Sequence, residues 1–396
     1  MKNAAPAGTV TLKIERNSPH PWIYRRMVEA WGADVKPGDV VRVVDRAGKA
    51  IGRGFFNPRS EIALRLLTEA AAEEVDAAFF RERIRQAAAL RREFLHLDRE
   101  SDAWRVVHSE GDGLSGLIVD RYADLLSVEL FSLGVARAFP WIRAALEQEF
   151  PGAQVVARAD ERVEEREGFK APEKKWKKFR TVVTEHGVKF HVDLVAGHKT
   201  GFFLDQRDNR RFLGGLVAGR EVLDLFCYTG GFALHAAAGR AKSVVGVDLD
   251  ERSLETARAN AELNGLAGAV EFRQGDVFHF LKGARAERRR WDVVVLDPPK
   301  FAPSKGAIEE AARDYLDLNR MGVAAVRDGG VLVTCSCSGA LPETEFLDFV
   351  RRAAASADRE LQVFRIAGAG PDHPVSSSCP ETRYLKVVFA RVVRRG

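Results

Sequence analysis

The strongest constraint on this chain is an alternation that begins near residue 185 and runs to the end. Short apolar runs at 221–225, 243–248, 270–273, 292–297 and 330–335 are separated by segments with helical spacing at 232–241, 251–264, 277–283, 307–326 and 343–356. Runs that are apolar on both faces are strands covered from both sides. Helices between consecutive strands impose parallel crossovers. The pattern predicts an α/β fold, a mostly parallel, doubly wound Rossmann-like sheet, with ligands gathered at the carboxyl ends of its strands.

The preceding residues read differently. Residues 1–70 hold short β-like runs at 9–14, 39–45 and 62–67, broken by Gly and Pro, with a hairpin turn at 46–49. They suit a small twisted β-barrel. Residues 71–184 open with a helix signal over 73–95. They continue as strand, strand, strand, helix, strand, strand, a small central α+β domain. The charged stretch 160–180 reads as an exposed loop or arm. Three domains follow, 1–70, 71–184 and 185–396.

Composition sets the compartment and narrows the partners. Four cysteines cannot staple 396 residues. With no signal-peptide pattern after Met1, the reading is a reducing, cytoplasmic protein. No apolar stretch reaches the length of a membrane span. The formal charge of +5 permits a polyanionic partner. Basic clusters at 174–180 and 288–290 are solvated faces or phosphate contacts. The aromatics interleaved in the first, Trp176 and Phe179, favour RNA.

The chemistry lies at the strand ends. Asp224 is followed by Phe226-Cys227-Tyr228-Thr229-Gly230-Gly231, a glycine turn into a helix whose free N–H groups face a ligand. Asp248-Leu249 ends the second run, where a carboxylate accepts ribose hydroxyls. Asp276-Val277 ends the third, where a carboxylate takes an adenine amine, and Asp297-Pro298-Pro299-Lys300 ends the fourth. A single Asp at a strand end is as easily a helix cap, but four in order are not chance. The set resembles the S-adenosylmethionine pocket of class I methyltransferases. It resembles a dinucleotide site less, because the G-x-G-x-x-G fingerprint is missing.

The Asp-Pro-Pro-Lys run resembles the motif of nucleic-acid methyltransferases, in which the acidic side chain and a proline carbonyl face a planar amine or ring nitrogen. Alone it leaves adenine N6, guanine N2 and cytosine open. Thr334-Cys335-Ser336-Cys337-Ser338-Gly339 adds two thiols beside it. Carbon 5 of a pyrimidine is too weak a nucleophile to be methylated until a thiolate adds at carbon 6. The rival reading makes both cysteines small buried hydrophobes. A Cys-x-Cys metal site lacks a second ligand pair, so no metal is expected. Cys227 and Cys379 are read as structural.

Nearly the whole chain resembles the RlmI-type family of bacterial 23S ribosomal RNA cytosine-5 methyltransferases. The matching residues include His20-Pro21-Trp22-Ile23, Gly52 to Pro58, Glu110 to Leu117, His198 to Arg207, Tyr228 to Phe232, Asp297 to Phe301, Ser336 to Gly339, Asp372 to Val375 and Tyr384-Leu385-Lys386. The resemblance implies a PUA-like N-terminal domain, a central α+β module and a C-terminal methyltransferase domain using S-adenosylmethionine. It places the nucleophile at Cys337, with Cys335 second, and leaves a homodimer open. The related guanine-methylating RlmK-type domain lacks the Ser-Cys-Ser-Gly cysteine.

Asp297 is the expected contact to a flipped cytosine near N3. Gln206, Arg207, Lys300 and Arg53 are expected to line the pocket or the RNA surface, with Arg59 and Arg65 as further phosphate contacts. The alternatives are an RNA N-methyltransferase, in which Cys337 only packs, and a non-catalytic RNA-binding assembly factor acting on the large ribosomal subunit.

Overall fold

The computed structural model describes residues 8–172, 179–194, 202–302 and 304–395. The chain divides into two compact units. The first comprises residues 1–181, 193–195 and 371–382; the second comprises 182–192, 196–370 and 383–396.

The first unit begins with a six-stranded sheet in the spatial order Trp22–Tyr24, Ile62–Thr68, Ala50–Phe56, Val40–Val44, Thr9–Leu12, Val28–Trp31. Its pairs are antiparallel except that Thr9–Leu12 runs parallel to Val40–Val44. Val10, Leu12, Ile23, Val41, Val43, Phe56 and Leu64 form its core. The hairpin turn lies where the sequence places it: Gly48 has φ +80° and Val44 pairs with Ala50. Strands 22–24 and 28–31 are too short to stand out in the sequence, and two glycines break the alternation of 50–56.

A four-stranded sheet follows, in the order Gln154–Arg158, Leu125–Leu130, Leu117–Tyr122, Ala103–His108. The helices Ala77–Ala89 and Leu133–Glu149 share a core with it. Asp76 and Ser132 cap their first turns by accepting backbone N–H bonds. The helical signal over 73–95 proves shorter, ending in a π-helical turn at Leu90–Phe94. Within the stretch read as a loop, Glu161–Glu167 is a helix capped by Asp160 and anchored through Val163 and Glu167. Residues 174–178 of the basic run lie outside the described residues.

The second unit is built on a seven-stranded sheet. Its strands, numbered in chain order, are β1 Glu221–Leu225, β2 Ser243–Asp248, β3 Val270–Gln274, β4 Trp291–Leu296, β5 Val326–Ser336, β6 Arg359–Ala367 and β7 Lys386–Arg394. The spatial order is 3-2-1-4-5-7-6. The first five are parallel, and β7 is antiparallel to both β5 and β6. Helices cover both faces, with one core on each. The order reverses at β1, so a crevice opens where β1 and β4 diverge. The sequence reading missed β6 and β7. They pair antiparallel rather than through a helical crossover, and the β6 edge keeps an exposed, charged face that blurs its pattern.

Candidate active site

The β1 end carries the loop that the sequence singles out. Asp224 is buried, and its Oδ2 accepts from the Ala233 N–H at 2.9 Å, at the start of helix Gly231–Ala238. Its Oδ1 is buried without a partner, an acceptor left for a ligand donor. Burial raises this carboxyl well above the usual range, and Asp297 and Asp248 add repulsion.

Between Asp224 and that helix the backbone is strained. Phe226 and Tyr228 have φ of 61° and 50°, and Gly230 has φ 84°. The first two are side chains in the sparsely populated left-handed region, a signature of backbone bent to a site. Gly230 is fixed twice over, because a Cβ there would lie 3.0 Å from the Phe272 ring. The bend is held by Asn260, whose side-chain amide donates to the Thr229 carbonyl at 3.0 Å, and by Asp248.

Asp248 Oδ2 accepts from Tyr228 N–H at 2.8 Å, and Oδ1 accepts from Asp250 N–H at 3.0 Å. Each oxygen keeps a lone pair for a hydroxyl. The neighbouring Leu249 is 68% exposed, an apolar face beside a ribose-type carboxylate. An orphaned acceptor, a spare carboxylate and an open apolar side chain fit the methionine, ribose and adenine parts of S-adenosylmethionine. Asp276 is exposed and caps helix Val277–Ala286, accepting from His279 N–H at 2.8 Å. Val277 is buried in the core.

At the β4 and β5 ends the structure assembles groups far apart in sequence. Gln206 Nε2 donates to Asp297 Oδ1 at 3.1 Å, and Asn209 donates to Gln206 Oε1 at 2.7 Å. The Tyr384 hydroxyl donates to Asp205 Oδ2 at 2.6 Å. Burial and the nearby Asp205 carboxylate raise the Asp297 carboxyl to about 7. Asp205 and Tyr384 enter the sequence reading only within runs that carry the family resemblance, and Asn209 not at all; the fold shows how they meet here.

The two thiols of this strand end differ. Cys335 is fully buried on β5; burial and the nearby Asp297 charge push its thiol well above its usual value. Cys337 lies just past the strand and is half-buried. Its flanking serines are pinned by one phenol, since Tyr315 Oη lies 2.8 Å from Ser336 Oγ and 2.9 Å from Ser338 Oγ. Ser338 Oγ also accepts from the Ala302 N–H, which ties this turn to the loop after Asp297.

Beneath the β1 loop lies a charged cluster that the sequence hid at a domain boundary. Arg210 donates two bonds to Glu185, at 2.8 and 2.6 Å, and His235 Nε2 lies 2.9 Å from the same carboxylate. Burial opposes the Glu185 charge, yet Arg210 and His235 hold the carboxyl at about 2. Arg210 also donates to the Phe203 carbonyl and covers the Phe202 ring.

Other expected residues fall elsewhere. Arg207 is buried and paired with Asp208, while Lys300 is exposed. His198 to Gly201 lie outside the described residues. Arg53 turns to the Ala71 carbonyl and Glu74 rather than standing free. Arg65 is buried against Glu110 and Trp22, which removes it as a phosphate contact; Arg59 stays exposed. His20, Cys379 and Glu381 gather their ligand-type atoms within 4.8 Å. However, His20 Nδ1 accepts from Trp22 N–H, so Nε2 carries the proton and donates to Glu381. The trio is a hydrogen-bonded clamp in this state. No described helix is long and apolar enough to cross a membrane.

A family model described as S-adenosylmethionine-dependent methyltransferase matches residues 152–375, and a PUA-like domain model matches 17–69. The chain is 39% identical over 380 residues to ribosomal RNA large subunit methyltransferase I of Shewanella denitrificans, across 94% of this chain and 95% of that protein. It is 39% identical over 374 residues to the same-named protein of Photobacterium profundum, across 93% and 94%. A solved structure provisionally assigned as a methyltransferase, complexed with SAH, aligns with TM-score 0.82 at 22% identity over 97% of this chain and 99% of that one. A second, from Streptococcus mutans, aligns with TM-score 0.78 at 23% identity over 90% and 92%. These two share the fold. By sequence, across nearly its full length, the chain belongs to the ribosomal RNA large subunit methyltransferase I family of S-adenosylmethionine-dependent methyltransferases.

Proposed function

We propose that this enzyme methylates carbon 5 of a cytosine in large-subunit ribosomal RNA through a transient bond to Cys337, with Asp297 as the acid that meets the base. The observation that carries the reading is the contrast between the two thiols: Cys335 is sealed against Asp297 and Gln206, and Cys337 is half-buried at the strand end.

Asp224, Asp248, Leu249 and the strained β1 loop would hold S-adenosylmethionine, which when bound offers a methyl group whose bonding pair stays on the sulfur as a neutral thioether. The Cys337 thiolate forms a bond from Sγ to carbon 6 of the cytosine, and the carbon 5–carbon 6 π pair moves towards carbon 5 and N3. Asp297, protonated in part near neutrality, donates its proton at N3 and removes the charge that would build there. Once carbon 5 carries the methyl group, water takes its proton, the released pair re-forms the carbon 5–carbon 6 double bond and expels Cys337 as thiolate, and N3 returns its proton to the Asp297 carboxylate.

The target base must leave its stack to reach this turn, at about a few kcal/mol. The N-terminal PUA-like domain supplies RNA grip that a small-molecule methyltransferase would not need. Incubation with S-adenosylmethionine and ribosomal RNA containing 5-fluorocytidine tests the reading, because fluorine at carbon 5 blocks the last elimination. A stable RNA adduct mapped to Cys337 is expected. Full turnover by Cys337→Ala would favour an RNA N-methyltransferase. An absence of S-adenosylmethionine binding by calorimetry would favour an assembly factor.

A further inference from the structure

We propose that Lys386 is a positioning residue that keeps Cys337 in its thiolate form, its ammonium anchored across the Ser336–Ser338 turn by two backbone carbonyls. This rests on the reading of Cys337 as nucleophile. It assigns a role to a residue that the sequence offered only as part of a resemblance.

The register brings the two together. In the antiparallel pairing of β5 with β7, Ser336 stands opposite Lys386. The lysine is buried, and its Nζ donates to the Ser338 carbonyl at 2.6 Å and to the Tyr384 carbonyl at 2.9 Å. It thus bridges the turn that carries Cys337 and the strand that faces it. Tyr315 holds the serine hydroxyls of that turn, and Lys386 holds its carbonyl.

The charge balance then identifies the counter-ion. Carbonyl oxygens satisfy an ammonium's donors without neutralising it, and a buried charge needs an opposite partner. Among the described residues, Lys386 hydrogen-bonds to no carboxylate. Of the charged groups around it, Cys337 and Glu343 most favour its charge, and Lys300 and Arg383 most oppose it. Glu343 is already bonded to Arg383. Tyr315, facing the same turn, is a phenol pushed upward by burial and stays neutral. Cys335 is likewise held as a thiol. That leaves the Cys337 sulfur beside the turn to serve as the counter-ion, and the coupling is mutual: what favours the ammonium favours the thiolate.

Burial also limits the device. It lowers the lysine to about 8, so the cation persists at neutral pH and is lost above that value.

The test reads the sulfur without RNA. The rate of Cys337 alkylation by iodoacetamide is followed by peptide mass spectrometry from pH 5 to 10 in the full-length protein. The wild-type profile is expected to rise at least about one unit below the ~8.5 of a free thiol. Lys386→Met is expected to move it up by about one unit or more, slowing alkylation at pH 7 about tenfold, while Lys386→Arg keeps most of the effect. A wild-type profile at or above the free-thiol value overturns the inference even if Lys386→Met fails to fold. So does a folded Lys386→Met that matches wild type. The 5-fluorocytidine experiment fails separately: a depressed thiol profile without an RNA adduct keeps the lysine's role and rejects cytosine carbon 5 as the target.

Discussion

Gln206 Nε2 donates to Asp297 Oδ1 at 3.1 Å, and that one bond joins the segment before the first strand of the sheet to the end of its fourth. The carboxyl it touches sits near 7 because burial and Asp205 disfavour its charge. The sign for stability follows. A carboxyl raised in the folded state binds more protons there than in the unfolded chain, whose value is near 3.9. Its contribution to stability therefore falls as pH rises from about 4 through 7. Asp297→Asn removes that penalty. Its melting temperature at pH 8 should exceed wild type by about 2–4 °C, with the gap closing towards pH 5. Its turnover should fall at least about a hundredfold. Calorimetric scans at the two pH values check this; a variant less stable than wild type at pH 8 would contradict the assigned repulsion.

The two thiols separate by substitution. Cys337→Ala should abolish methyl transfer and leave S-adenosylmethionine affinity within about twofold. Cys335→Ala leaves a small cavity in the packed strand end, so it should lose about 1–2 kcal/mol of stability and still form the adduct. Adduct trapping with both proteins, beside a denaturant titration, decides. Adduct formation by Cys337→Ala would be fatal to the proposed role.

Tyr315→Phe removes one hydroxyl that serves two serines. The freed serine hydroxyls cost about 1–2 kcal/mol. The looser turn should lower kcat about tenfold while KM for S-adenosylmethionine stays unchanged. An unchanged kcat in steady-state kinetics would show that the Cys337 turn does not depend on this phenol.

Leu249 is exposed, so Leu249→Ala should leave the melting temperature within about 1 °C. Loss of its apolar face should raise the dissociation constant for S-adenosylmethionine about tenfold, as read by calorimetric titration. Equal affinity would move the adenine site elsewhere.

Glu185→Gln breaks a buried ion pair from one side and leaves the Arg210 charge poorly compensated. A loss of about 3–5 kcal/mol is expected by denaturant unfolding. A loss below about 1 kcal/mol would show that the cluster is not what supports the β1 loop.

The sequence alone determined the parallel part of the sheet, β1 to β5, and its strand-end aspartates. Those signals are local: an apolar run, a helical spacing, a glycine turn. It also singled out Thr334 to Gly339 by its two thiols, and the family resemblance there favoured Cys337 as nucleophile. Tertiary structure decided the rest. Which of Cys335 and Cys337 is sealed depends on where β5 stops and on Asp297 and Gln206 packing against the first thiol. Arg53 and Arg65 look like free cations in sequence, and only packing shows them spent on Glu74 and Glu110. Lys386 meets its turn through a strand register set some fifty residues away in the chain. Burial and charge neighbourhood are sums over residues distant in sequence, so no local pattern carries them.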